Sequence, residues 1–337
     1  MTMTSIPGAA TMLAARIHQL GTPEAVQLDT VPRPVPGPGE LLVAVHAAAV
    51  NFPDTLMIEG RYQTPTPLPF TPGHESAGVV VAIGPQVNGW AVGDRVAVLA
   101  PGAFAEYVVA SARSAVRVPA SIGFADAAAT WVCHLTAYHA LRSVASVTAG
   151  ETVLVLGAGG GLGLAAVELA ARLGATVVAA ASTREKLAAA GSRGATHLVD
   201  YATDGLRAGL REAIGPGAVD VVLDPVGGDR AEEALREMRW GGRFITLGYA
   251  SDAIPRIPLN LVLLKGVTIK GLEVRTFDRH DPVSAARDRA EFIELWTSQR
   301  IHPMVGAVFP LEQAREALSY VAERRAVGKT VIEVRAD

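Results

Sequence analysis

A chain of 337 residues is too long for one average domain and short for three, so two domains are expected; a formal net charge of −3 with no basic cluster argues against nucleic acid or an anionic membrane as partner. Half of the residues are apolar, enough for a large core, yet no run approaches the roughly 18 apolar residues of a membrane span. The single cysteine, Cys133, rules out an internal disulfide and a multi-cysteine zinc site and fits a reducing compartment, which leaves the cytoplasm as the expected location and small molecules or copies of the chain as expected partners.

The opening stretch from Met1 to Ala15 lacks the basic segment and apolar core of an export signal. Met12 to Leu20 reads as a first strand, and Val31 to Gly39, with four prolines and two glycines, as an extended connector. Glu40 to Val50 is an apolar strand. From Gly73 to Val118 short β-rich pieces (Ala77 to Ile83, Arg95 to Leu99, Phe104 to Val109) alternate with turns at Gly93-Asp94 and Pro101-Gly102, the pattern of a small irregular β-barrel.

Composition changes near Ile122. Alanine-rich helical sequence runs from Phe124 to Ala145, and strand then alternates with helix. Val153 to Leu156, Thr176 to Ala180, His197 to Val199, Val219 to Leu223, Phe244 to Leu247 and Val267 to Leu272 read as buried strands, with helices such as Arg184 to Gly191 and Ala231 to Met238 between them. Apolar strands separated by helices predict an α/β fold, a doubly wound parallel sheet covered on both faces. Phe309 to Val334 reads as a helix and a strand that return to the first domain. The predicted boundaries are 1–123 with 300–337, and 124–299.

Between the strand Val153 to Leu156 and the helical pattern Leu164 to Leu173 lies Gly157-Ala158-Gly159-Gly160-Gly161-Leu162-Gly163. A buried strand, a glycine turn and a helix start, in that order, suit a dinucleotide pyrophosphate: glycine lets backbone N–H groups approach phosphate oxygens, and the helix N-terminus supplies partial positive charge. The strict G-x-G-x-x-G spacing fails, because the fifth residue beyond Gly157 is Leu162 and beyond Gly159 is Leu164; the nearest match is Ala158-x-Gly160-x-x-Gly163.

The second strand of such a unit ends in an acid when the cofactor is NAD, because the acid accepts hydrogen bonds from the adenosine ribose. Here the sequence is Ala180-Ala181-Ser182-Thr183-Arg184-Glu185-Lys186, with no carboxylate at the strand end. Ser182, Lys186 and Arg184 suit a 2′-phosphate, so NADPH is the expected cofactor.

The chain resembles the zinc-independent quinone oxidoreductases of the medium-chain dehydrogenase/reductase superfamily, relatives of zeta-crystallin. The resemblance rests on Val50-Asn51-Phe52-Pro53-Asp54, Gly60-Arg61-Tyr62, Pro72-Gly73-His74-Glu75, Thr136-Ala137-Tyr138, the glycine turn, Asp224-Pro225-Val226-Gly227-Gly228, Pro258-Leu259-Asn260 and Gly328-Lys329. It implies a GroES-like catalytic barrel completed by the C-terminal segment, a Rossmann domain, a cofactor in the cleft between them, and a homodimer paired through the edge around Thr268 to Leu272. It places Asn51 and Asp54 beside the nicotinamide and its ribose and Thr136 at the carboxamide. Gly157, Gly160, Gly161, Leu162 and Gly163 fall at the pyrophosphate, Lys186 and Tyr201 at the 2′-phosphate and adenine. Leu247 and Gly248 lie where the chain passes the nicotinamide, and Arg325 where the C-terminal segment reaches back.

Zinc-using members of the superfamily need three protein ligands and an open position. His74 and Glu75 survive from that pattern, but Asn51 stands at the first ligand position and Val132, next to Cys133, at the third. No metal is expected; His74 becomes a hydrogen-bonded structural residue and Glu75 the buried partner of a backbone or arginine group. Gly159 stands where the family often has serine, Glu168 where it has glutamine, and Leu56 replaces an aromatic. Without a metal the acceptor must be a good hydride acceptor: a quinone or an α,β-unsaturated carbonyl, with Tyr62, which resembles the tyrosine of enoyl-thioester reductases, as the expected proton donor. The alternatives are a 2-enoyl reductase and a non-catalytic, crystallin-like NADPH-binding protein.

Overall fold

The computed structural model describes residues 10–336, so the first nine residues of the opening stretch lie outside it. The chain divides into two units, the residues up to Val132 with those from Val305 onward, and Cys133–Met304.

In the first unit β1 (Thr11–Ile17) and β2 (Val26–Pro32) form an antiparallel ribbon. The sequence reading passed over β2, because Gln27 and Asp29 interrupt its apolar positions and Pro32 closes it, a residue tolerated only at sheet edges. The spine is β3 (Glu40–Val50), an eleven-residue strand with nine buried positions, followed directly by the short helix α1 (Phe52–Ile58). Antiparallel to β3 run β4 (Glu75–Ile83) and β6 (Tyr107–Ser111), and β4 carries β5 (Arg95–Leu99), which pairs with β7 (Val116–Arg117). Two register shifts along the β3 and β4 pair bend the sheet, as expected of an irregular barrel. Ile17, Leu41, Val45, Val80 and Phe104 are fully buried in its core, each contributing about 1.5–3 kcal/mol.

The helix α2 (Phe124–His139) passes into a π turn at Ala140–Val144, which ends the predicted helical stretch. The second unit then alternates: β8 (Thr152–Leu156), α3 (Gly161–Arg172), β9 (Thr176–Ala181), α4 (Arg184–Ser192), β10 (His197–Asp200), α5 (Leu206–Ile214), β11 (Val219–Asp224), α6 (Asp229–Arg236) and β12 (Met238–Thr246). After these come α7 (Leu259–Lys265), β13 (Thr268–Gly271), α8 (Val274–His280) and α9 (Pro282–Thr297). The six strands are parallel in the order β10-β9-β8-β11-β12-β13. Strand order reverses between β8 and β11, and ligands of such sheets bind beyond the strand ends at that point. Two expectations fail: β10 and β13, read as buried strands, have one buried position of four and none, because they are the two edges of the sheet.

The chain returns to the first unit through β14 (Val305–Pro310), α10 (Ala314–Ala322) and β15 (Lys329–Glu333). β15 runs parallel to β14 and antiparallel to β3, so the tail completes the barrel's sheet.

Candidate functional site

Gly157 follows β8 at φ +60°, and a Cβ there would lie 2.7 Å from Val226 Cγ2. Gly160 caps α3, its N–H donating to Gly157 O at 3.1 Å, and Gly161 and Leu162 form the first turn. A Cβ on Gly163 would meet Gly157 O at 2.2 Å and Ala158 Cα at 2.7 Å, so only glycine lets the helix start this close to the strand. Gly160 differs: the nearest atom to its Cβ position is 3.6 Å away, leaving room above the turn. This is a cradle a pyrophosphate fits, with open backbone at Gly160 where the helix starts.

The turn after β11 supports it. Asp224, fully buried, accepts the N–H groups of Val226 and Gly227 through Oδ1, at 2.8 Å each, and so holds Val226 against Gly157. Burial pushes the Asp224 carboxyl up from its ordinary value, against the downward pull of those two N–H groups. Leu247 follows β12 with its N–H on Asp224 O at 2.8 Å, and Gly248 lies beside it over Pro225, both half-buried.

At the other end of the crevice Ser182 follows β9, half-buried, and Thr183 caps α4 by accepting the Lys186 N–H at 3.3 Å. The Lys186 stem lies across Gly159: a Cβ there would be 2.3 Å from Lys186 Cβ. Tyr201 follows β10, its N–H on Ala181 O at 3.2 Å, which sets it next to Ser182. Arg230, which the sequence reading did not single out, places its guanidinium 4.1 Å above the Tyr201 ring. Thr136, on α2, is half-buried.

Asn51, Asp54, Tyr62 and Arg325 belong to the first unit. Asn51 stands between β3 and α1, and its N–H donates to Asp54 Oδ2 at 2.8 Å, one half of a capping box. Asp54 Oδ1 faces His74 Nδ1 at 3.1 Å, so His74 is hydrogen-bonded as expected, although its side chain is 40% exposed. Glu75 is fully buried, and its Oε2 accepts the Val132 N–H at 2.8 Å. Its other oxygen accepts from Asn51 Nδ2 at 2.9 Å and from the Lys329 ammonium at 2.6 Å. The expected backbone partner is thus present, and the charged partner is a lysine rather than an arginine. Lys329 Nζ also donates to Asn51 Oδ1 at 2.6 Å and to Val50 O at 3.3 Å.

This donor set does not fit zinc. The Asn51 amide oxygen, a weak ligand in any case, already accepts from an ammonium, and both Glu75 oxygens are engaged. A cation in direct contact with both residues repels a second one. The signal for Lys329 was present in the sequence: a lone lysine opening the apolar strand Lys-Thr-Val-Ile-Glu must be paired if it is buried.

Tyr62 lies just beyond α1, held by its N–H on Leu56 O at 3.1 Å, and with Leu20, Met57, Gly60, Thr64, Pro65 and Thr66 it lines a cleft. Arg325 is exposed, pairs with Glu323 at 2.7 Å and stacks over Tyr320 at 4.8 Å.

Two family models match the chain, an alcohol dehydrogenase GroES-like domain over residues 37–120 and a zinc-binding dehydrogenase domain over residues 161–289. The second segment contains none of Asn51, His74 and Glu75. Quinone oxidoreductase-like protein 2 of Mus musculus is 37% identical over 324 residues, 96% of this chain and 92% of the mouse protein. The Escherichia coli quinone oxidoreductase solved in complex with NADPH matches at 29% identity and a TM-score of 0.87, covering 96% of this chain and 100% of that one. The CurK enoyl reductase matches at 26% identity and a TM-score of 0.84, covering 96% and 98%.

Proposed function

This chain belongs to the zinc-independent quinone oxidoreductases of the medium-chain dehydrogenase/reductase superfamily, and we propose that it passes a hydride from NADPH to quinones or related α,β-unsaturated carbonyl compounds without a metal. The observation that carries this reading is the acid-free end of β9, where Ser182 and Lys186 stand beside an open glycine cradle. NADPH supplies the hydride, from C4 of its nicotinamide. Gly160, Gly161 and Leu162 offer N–H groups to the pyrophosphate, while Lys186 and Ser182 hold the 2′-phosphate. Thr136, Leu247 and Gly248 orient the nicotinamide end, and Arg325 adds a cation from the C-terminal segment. Asn51 and Asp54, made rigid by Lys329, Glu75 and the α1 cap, keep fixed polar groups where the nicotinamide ribose would lie.

Because Asn51, His74 and Glu75 do not hold zinc, the acceptor must carry its own electron-poor conjugated system. Tyr62 Oη donates a proton to the oxygen on which charge builds, the role of a general acid. Oxidation of NADPH against a panel of quinones, enals and enoyl thioesters, with products identified, tests the assignment: a hydroquinone or semiquinone supports it, and turnover of none of them removes it. A 2-enoyl reductase is the second reading, favoured by Tyr62 in the cleft and by the likeness to the CurK enoyl reductase, and a saturated carbonyl product would establish it. Under either reading Tyr62→Phe is expected to lower turnover of enoyl acceptors about 100-fold or more with NADPH affinity unchanged. Full turnover of the variant on every acceptor would reassign the tyrosine to the cleft wall.

The proposed partner, besides the acceptor, is a second copy of the chain. β13 is an open sheet edge, and near it Trp240, Leu259, Leu263 and Leu264 are 70–81% exposed, with Trp240 against Gly266 at the end of α7. An open edge flanked by apolar side chains is a template for pairing. Sedimentation at micromolar concentration should give twice the 35.1 kDa of one chain, and Leu263→Asp should shift it to the monomer. Among the described residues no helix is long and apolar enough to cross a membrane. The cytoplasm is the proposed compartment, on the ground of the lone Cys133.

A further inference from the structure

Arg230 is the second residue of α6, beyond the C-terminal end of β11, and Tyr201 follows the C-terminal end of β10. In the sheet β9 and β8 lie between those strands, a span of about 14 Å at roughly 4.8 Å per neighbour. The 4.1 Å stack of guanidinium on phenol therefore reaches across the strand ends and past the point where strand order reverses. Tyr201 is tied to Ala181, next to Ser182, and Lys186 lies over Gly159, so Lys186, Ser182, Tyr201 and Arg230 form an arc around the ends of β8 and β9.

Several arginines of this unit are engaged with acids, Arg207 and Arg211 with Glu237, Arg236 with Glu232, and Arg239 with Asp220, while Arg184 at the start of α4 is exposed. Arg230 makes no hydrogen bond or ion pair with any described residue, although it is half-buried and Asp229 adjoins it. Asp200, next to Tyr201, has its carboxylate on the N–H groups of Ala202 and Thr203, at 3.0 and 3.3 Å. A half-buried guanidinium held by an aromatic face, with its N–H edge unclaimed by an acid, is a prepared anion site.

We infer that Arg230, held over the Tyr201 ring, is the second cation for the adenosine 2′-phosphate of NADPH. This rests on the assignment of that phosphate to Lys186 and Ser182. A phosphate monoester carries close to two negative charges at neutral pH, more than one ammonium neutralises. Lys186 supplies a point charge; Arg230 supplies a planar fork able to bond two phosphate oxygens, placed in advance by its contact with the tyrosine.

Calorimetric titration of the full chain with 2′,5′-ADP and with 5′-AMP separates the phosphate from the rest of the nucleotide. Arg230→Ala is expected to weaken 2′,5′-ADP about 10- to 100-fold, the range of a charged hydrogen bond, and to leave 5′-AMP within about threefold. Arg230→Lys should fall between, since it keeps the charge and loses the fork. Undiminished binding of 2′,5′-ADP by Arg230→Ala, with Lys186→Ala impaired, overturns the role of Arg230 and leaves the Lys186 assignment standing. If neither variant is impaired, the phosphate lies elsewhere and both fall. Equal losses for the two nucleotides, with Arg230→Lys no better than Arg230→Ala and the melting temperature unchanged, would make Arg230 an adenine contact and also overturn the inference.

Discussion

Lys329→Met is expected to destabilise the first unit by about 3–5 kcal/mol, the loss seen when one partner of a buried ion pair is removed. The Lys329 and Glu75 side chains are 3% and 1% exposed, and their charged atoms are 2.6 Å apart. Each gives up hydration that the other, with Asn51, Val50 and Val132, helps to restore. Methionine fills much of the volume but leaves the buried Glu75 carboxyl with two N–H donors and no countercharge. Glu75→Gln on the Lys329→Met background should recover much of the loss, because it removes the uncompensated charge while the amide oxygen still accepts from Val132 and, once the Asn51 amide turns over, the new NH2 donates to the Asn51 Oδ1 that the ammonium has left. Urea unfolding of the wild type, the two single variants and the double variant gives the coupling. A Lys329→Met penalty below about 1 kcal/mol would mean that the pair is solvated in solution.

The same pair explains why a chain carrying His74 and Glu75 in sequence has no use for a zinc ion there. Lys329 lies between Asn51 and Glu75, and a metal would have to displace an ammonium already bonded to both. The charge that a divalent ion would bring is covalently attached to β15. The barrel thus depends on its C-terminal strand for electrostatic balance as well as for sheet pairing with β3.

That relation was not legible in the sequence. Lys329 and Glu75 are 254 positions apart, and which acid a buried lysine meets is set by sheet pairing rather than by local pattern. Features fixed by local rules were legible: β3 and β5 have the predicted bounds, because apolar runs between turn residues leave little freedom. The glycine cradle was legible for the same reason, since close approach of a helix to a strand demands glycine at Gly163 whatever surrounds it. The exposure of β13 was not, because an edge strand and a central one share composition and differ only in neighbours. Arg230 escaped for a similar reason: only the return of α6 over the strand ends brings it to Tyr201.

Lys186→Ala is expected to weaken NADPH by about 1.5–3 kcal/mol, or roughly 10- to 150-fold in Kd, while leaving NADH nearly unchanged. The selectivity follows from what each cofactor presents at the end of β9. In the proposed placement the Lys186 ammonium would meet a neutral hydroxyl of NADH, so its loss would cost little, but a phosphate of NADPH with no acid at the strand end to repel it and few cations to replace the lysine. Gly159 makes this testable from the opposite side. Its missing Cβ is what lets the Lys186 stem lie over the turn, since a β-carbon would be 2.3 Å from Lys186 Cβ and 2.9 Å from Lys186 Cα. The second of these atoms is backbone, so Gly159→Ser must shift the first turn of α4, an overpacking cost of about 1–3 kcal/mol. Gly159→Ser should therefore lower the preference for NADPH over NADH without removing any charged group, and adding it to Lys186→Ala should lower that preference little further. Fluorescence titration with both cofactors reads all three variants. Equal losses for NADPH and NADH in Lys186→Ala would place the ammonium at the shared part of the dinucleotide and remove the charge argument for NADPH.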